Sequence, residues 1–218
     1  MTLEKTRPVR RRSYGGASLE DRQAKRRATF IAAGHTLFGT IGYQKTTVRS
    51  LCREAELTDR YFYESFMSIE ALLVVVYSGL INDLQANILS AIQSLDNGES
   101  LDEVIHAGLE AFFSVAEDPQ VARILYIEIL SVGEGAEAFY NVTLRQFAAL
   151  FLMLTKSQIP KMNVTNEIGA VLAMGVIGAI SETAKSWLLG GYAHPKAVLI
   201  EGMAIMIRGL AQQIATAP

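Results

Sequence analysis

The sequence predicts an all-α protein of about nine helices, an N-terminal three-helix unit followed by a larger helical bundle. Three observations predict it. Apolar residues recur at helical spacing from residue 18 to residue 215, broken only by short segments marked by Gly, Pro, Asn or Ser. Residues 46–66, TTVRSLCREAELTDRYFYESF, read as two short helices about a tight corner. The charge is unevenly divided: residues 1–60 hold 13 Lys and Arg against 6 Asp and Glu, a net +7, and residues 61–218 hold 7 against 16, a net −9. A basic head on an acidic body suits a head that meets a polyanion.

Residues 1–17 contain Pro8, Gly15, Gly16 and four arginines. A flexible basic arm lying along phosphates and a solvated tail both fit this composition. A long helix starts near Ser18. Ala24, Ala28, Ile31, His35 and Phe38 form one stripe on it, and Phe30, Gly34, Leu37 and Ile41 the next. Gly34 costs about 1 kcal/mol in a helix interior, which close approach of another helix would justify. Gly42 is expected to end the helix as a left-handed residue, with Tyr43 packed under the turn.

In the corner segment Thr46 or Thr47 caps the first short helix, and Val48, Leu51, Cys52 and Ala55 give its apolar side. The corner falls near Glu56 and Leu57, and Thr58 restarts a helix. Phe62 and Phe66 fall on its apolar side and read as core. Cys52 reads as a small buried hydrophobe, with a redox sensor as the sharper alternative.

Ser68 starts a helix to about residue 95, and DNGES at 96–100 is a turn. The next helix, 101–117, places Glu103, His106 and Glu110 near one face. A carboxylate–histidine metal site is the sharper reading; a di-metal bundle would need a second such motif, and none exists, so a polar surface or a single pocket hydrogen-bonder is the expected role and no metal is expected. Pro119 opens a helix to about residue 132. Helices over about 136–159, 165–189 and 195–215 follow. The last is apolar nearly all round, through Val198, Leu199, Ile200, Met203, Ile205, Met206, Ile207 and Leu210. A terminal helix without a polar face must be covered. A homodimer through the last two helices is the economical cover, and a deep monomer core the alternative.

The segment 46–66 followed by SIEALL resembles the DNA-binding part of TetR/AcrR-type transcriptional regulators, and AAGHTLFGTIGY before it is similar to the end of that family's first helix and its glycine-aromatic turn. The resemblance is specific over about residues 24–73. It implies a helix-turn-helix domain over 18–67 and an effector-binding and dimerisation domain over 68–218. It implies that Lys45, Thr46, Thr47, Tyr63 and Ser65 meet phosphates of a double-stranded DNA operator, while Thr58, Asp59, Arg60 and Tyr61 face base edges. Arginine pairing with guanine and hydroxyls donating to phosphate suit this division. It also implies a dimer and a small-molecule effector. The sequence departs from the family at Glu56, where a turn glycine is usual, and at Ile69, where a phosphate-binding lysine is usual.

Tyr77, His106, Phe112, Tyr126, Phe147, Met174 and Trp187 are candidate lining for an apolar effector cavity in the bundle. The strand–glycine-loop–helix pattern of a nucleotide site is lacking and the three histidines are far apart, so an enzyme is not expected and no cofactor is implied. One cysteine permits no intrachain disulfide. The cluster Arg10, Arg11 and Arg12 is not followed by an apolar stretch, so no signal peptide is expected. The longest uncharged apolar run, 168–181, is shorter than the roughly 20 residues of a membrane span, so a cytoplasmic protein is expected. The functional expectation is a dimeric repressor that binds a palindromic operator and is released by an apolar or amphipathic effector. The alternatives are a helical ligand-binding protein or enzyme with a vestigial DNA-binding head, and a non-specific nucleoid-type binder.

Overall fold

The computed structural model describes residues 18–95 and 100–216. The basic arm 1–17 and the first four residues of the DNGES turn lie outside them. Among the described residues there are nine α-helices and no strand: α1 (Leu19–Thr40), α2 (Val48–Ala55), α3 (Asp59–Ser65), α4 (Ile69–Gln93), α5 (Leu101–Ala116), α6 (Pro119–Arg123), α7 (Glu134–Gln158), α8 (Asn166–Leu189) and α9 (Lys196–Thr216). Helix α1 packs against α2, α3, α4 and α6, and the body pairs α4 with α5, α5 with α9 and α7 with α8.

Local chemistry sets the helix starts. Ser18 with Asp21, Thr47 with Ser50, and Ser100 with Glu103 each form a reciprocal cap, in which two backbone N–H groups outside the helical ladder find side-chain acceptors. Ser68 caps α4 through Ala71 N–H at 3.0 Å. Phe30, Phe38, Leu51, Phe62 and Leu72 are fully buried and join the head to the start of α4. The buried face of α1 is narrower than the sequence suggested: Ala24 and Ala28 are exposed. Gly34 has its explanation, since a Cβ there would stand 3.1 Å from Leu72 Cδ2 of α4.

Two backbone positions in the head have positive φ. Glu56, the αL residue after α2, has φ 52°, and Leu57 N–H closes on the Cys52 carbonyl at 3.0 Å. A side chain at positive φ costs about 1–2 kcal/mol, and glycine gives part of that back as unfolded-chain entropy. Glu56→Gly is therefore expected to stabilise the chain by about 0.5–1 kcal/mol, read as a rise of about 1–4 °C in Tm. An unchanged or lower Tm would show that the carboxylate stabilises the corner in some other way. Gly42 also has positive φ, 87°, but with ψ 165° it is not the expected αL residue; it turns the chain sharply outward into Tyr43.

The expected single helix over 119–132 is instead three kinds of turn. Asp118 caps α6 by accepting from Gln120 and Val121 N–H, and Pro119 takes the first helical position. A widened π-type turn, Ile124–Glu128, and a tight 3-10 turn, Ile129–Ser131, follow. Ile124, Leu125, Tyr126, Glu128 and Ile129 are all buried. The widened turn aims this nearly continuous run at partners on different sides, which a regular ladder would not do.

Candidate nucleic-acid interface and effector cavity

The head presents α3 as its outer helix. Buried Phe62 anchors it, with its ring 5.4 Å edge-on from Phe30 of α1, and fixes which way the helix is rotated. Thr58, Asp59, Arg60 and Tyr63 are consequently exposed, as are Lys45 and Thr47 at the start of the unit. The Arg60 side chain is 82% accessible. Tyr61 is half-buried, its ring covered by the Arg26 guanidinium 4.3 Å from the centroid. Ser65 is also half-buried and donates to the Tyr61 carbonyl at 2.9 Å. Thr46 is buried and donates to the Gly42 carbonyl at 2.8 Å, which ties the turn after α1 to α2. Of the nine DNA-contact candidates, six are exposed, Tyr61 and Ser65 are half-buried, and Thr46 is buried.

Neither departure from the family pattern disturbs this geometry. The Glu56 corner closes as described, and Ile69 is half-buried against the core at the start of α4. Cys52 is half-buried, and burial pushes its thiol above the ordinary range, as suits a small packing residue. Arg27 stacks over Phe66 at 4.9 Å.

The body holds an apolar cavity of about 130 Å³ between α4, α5, α7, α8 and α9, with Ile88, Ile105, Phe151, Ala173 and Ile207 among its walls. Phe147, Ile177 and Ile180 separate it from a smaller inner chamber of about 40 Å³. Tyr77, Phe112 and Tyr126 line the inner chamber with Phe147, so four of the seven effector candidates come together. Hydroxyls collect at this end, where Tyr140 and Ser181 are hydrogen-bonded at 3.0 Å. Burial drives the Tyr77 and Tyr126 phenols far above their usual range, so both stay neutral. The other three candidates are elsewhere. Met174 is absent from these walls. Trp187 borders an open pocket between α8 and α9 and donates Nε1–H to the His194 carbonyl at 2.8 Å.

His106 is on the outer face of α5, against Asp102 and, at 3.4 Å, Glu201 of α9. Its hydrogen bond to the Asp102 carbonyl, with help from Glu201, raises its affinity for a proton. Glu103 caps α5 and Glu110 pairs with Lys196 at 2.8 Å, so the Glu103, His106 and Glu110 spacing is spent on three separate contacts. Among the described residues no group of three such side chains could hold a metal ion.

The contact that sequence reading missed joins head to body. Glu128 of the widened turn is only 4% exposed. Its carboxylate accepts the Tyr43 N–H at 2.6 Å and Arg123 Nε–H at 2.6 Å, and Arg123 Nη1 donates to the Thr40 carbonyl at 2.9 Å. Gln44 adds a bond to the Ser131 carbonyl at 3.1 Å. Gly42 makes room for this clasp: a Cβ there would lie 2.6 Å from Arg123 Nη2 and 2.8 Å from Glu128 Oε1. The positive φ and the crowding thus both demand glycine at position 42. The segment holding the clasp also lines the inner chamber, since Tyr126 is two residues from Glu128.

Three helices, α4, α8 and α9, are long and apolar enough to cross a membrane by length and composition. On α9, Val198, Gly202, Ile205 and Gly209 form an outward stripe, and on α8 Ile168, Val171 and Gly175 do the same. Val171 is 72% and Ile205 59% exposed, and no atom lies within 4 Å of a Cβ built at Gly175, Gly178, Gly202 or Gly209.

Residues 30–76 match the family model of bacterial regulatory proteins of the tetR family. A comparison of the sequence with curated proteins finds no match. Among solved structures, the fatty acid degradation regulator FadR from Bacillus halodurans superimposes with a TM-score of 0.70 at 16% identity, over 83% of this chain and 93% of that one. FadR from Bacillus subtilis in complex with stearoyl-CoA gives 0.70 at 17% identity, over 82% and 96%. A TetR-like transcriptional regulator from Rhodococcus sp. RHA1 gives 0.62 at 22% identity, over 86% and 97%. These likenesses show a shared fold, and the match over residues 30–76, which holds the whole corner and the exposed α3, shows that this segment is a DNA-binding head of the tetR-family type.

Proposed function

We propose that the protein is a cytoplasmic repressor that binds a near-palindromic operator as a homodimer and is released by an apolar or amphipathic small molecule. The observation that carries this reading is the shared turn of Tyr126 and Glu128: one residue walls the chamber and the other grips the head. A ligand larger than the chambers must push their walls outward. At Tyr126 that push falls on the segment holding Tyr43 and, through Arg123, Thr40. A ligand that binds better to the displaced arrangement shifts the population toward it, and the two heads lose the spacing that two major grooves require.

The apolar lining supports an effector with a large hydrocarbon or aromatic part. The stearoyl-CoA held by the Bacillus subtilis FadR is a molecule of that type. The bare stripes on α8 and α9 support the dimer, because glycines let two helices approach closely and the exposed Val171 and Ile205 gain cover. Lys45, Thr47 and Tyr63 are assigned to phosphates; Thr58, Asp59, Arg60 and Tyr61 are assigned to base edges. Thr46 and Ser65 act by holding the unit together.

A thermal-shift screen of apolar and amphipathic compounds, followed by gel shifts of each stabilising compound on a selected duplex, tests the coupling. At 100 times its Kd a ligand adds about 2.7 kcal/mol, a shift of about 5–10 °C. Compounds that do so are expected to weaken duplex binding. Tight binding in the bundle with DNA affinity unchanged would instead indicate a ligand-binding protein with a vestigial head.

A further inference from the structure

The outer helix carries a carboxylate that the DNA-contact assignment leaves without a role. Glu64 lies one turn after Arg60, and its Oε1 accepts Arg60 Nε–H at 3.0 Å. Its Oε2 stands 3.7 Å from Nη2 of Arg26, the α1 residue that covers the Tyr61 ring. Arg26 is mostly enclosed, its side chain 20% accessible. A single chain of contacts therefore runs from α1 through Glu64 to Arg60, and from α1 directly to Tyr61.

Helix stability does not explain Glu64. Arginine placed N-terminal to glutamate is the weaker order of an i,i+4 pair, and with the Arg60 side chain 82% accessible the pair adds little to the helix. A negative charge on a helix that faces phosphates also lowers affinity for any duplex. The cost has a return if the carboxylate fixes the arginine. Holding Nε leaves Nη1 and Nη2, two parallel donors of the kind that guanine O6 and N7 accept together. An arginine free to turn could reach a phosphate instead and would read no base.

We infer that Glu64 is a positioning residue for base reading: braced by Arg26, it orients the Arg60 fork and gives up some general DNA affinity for preference at one base pair. This rests on the assignment of Arg60 to a base edge, and the test separates the two. The full-length protein and its Arg60→Ala, Glu64→Ala and Glu64→Gln variants are used to select duplexes from a random-sequence library. Each is also titrated with an unrelated duplex over a salt series, and its thermal unfolding confirms that it is folded.

Arg60→Ala is expected to abolish preference at one base pair of each half-site. Glu64→Ala is expected to reduce preference at that same pair by about threefold to tenfold and to raise affinity for the unrelated duplex about twofold to threefold. Glu64→Gln, whose amide oxygen can still accept from Nε, is expected to keep most of the preference. An Arg60→Ala variant that relaxes no position removes the assignment, and the inference with it. With Arg60 effective, unchanged preference in Glu64→Ala overturns the inference alone. So does a loss at a different base pair in both Glu64 variants, which would show Glu64 reading a base itself.

Discussion

Glu128→Ala is expected to cost about 3 kcal/mol and to lower the Tm by about 6–12 °C, because it strands the part-buried Tyr43 N–H and removes the partner of Arg123. The loss stays below the upper range for a buried ion pair, since the Arg123 side chain is 38% accessible and can recover some hydration. Function should suffer in proportion to the loosened head. With the turn after α1 no longer gripped, the heads sample spacings that do not fit the duplex. Operator affinity is expected to drop about tenfold, equivalent to about 1.4 kcal/mol of lost preorganisation. Glu128→Gln keeps an acceptor for Tyr43 and should fall between the two proteins. Thermal unfolding with gel shifts on one selected duplex measures both effects, and a Glu128→Ala protein with wild-type stability and affinity would mean that the clasp couples nothing.

Ile205→Glu is expected to have the larger effect on function and the smaller one on folding. The residue is 59% exposed in the single chain, so a charge there disturbs little of the chain's own core. In a symmetric pair of α8–α9 hairpins the same stripe meets its own copy. Two desolvated carboxylates then face each other, at a cost of several kcal/mol to association. Light scattering at about 10 μM should show a monomer whose thermal midpoint no longer depends on protein concentration. A single head makes half the contacts, so operator affinity should fall at least about a hundredfold. A variant that stays dimeric would place the dimer contact elsewhere and leave the bare glycines of α8 and α9 unexplained.

What the sequence revealed and what it hid divide by range of interaction. Helix starts are local: the sequence placed them near Ser18, at Thr46 or Thr47 and at Ser68, and Ser18, Thr47 and Ser68 each cap within three residues. The corner is local too, and Glu56 takes the left-handed conformation despite not being glycine. The clasp was illegible because Glu128 and Tyr43 are 85 residues apart, and a glutamate in an apolar run looks like a solvent-facing break. That same run, 124–129, hid the widened turn, since a regular helix and a π-type turn share one apolar pattern over six residues. The effector candidates show a further limit. Aromatic residues at bundle-facing positions found the inner chamber through Tyr77, Phe112, Tyr126 and Phe147. The larger cavity is walled mainly by aliphatic residues that nothing local distinguishes from ordinary core. His106 was misleading because its acceptors include Glu201, which folding brings in from α9.

The most direct measurement is the stoichiometry and footprint of the protein on a duplex selected from a random library. Two chains per duplex are expected, protecting two related half-sites whose centres lie about 10–10.5 base pairs, or a small multiple of that, apart. One chain per duplex, or protection with no recurring sequence, would contradict the account.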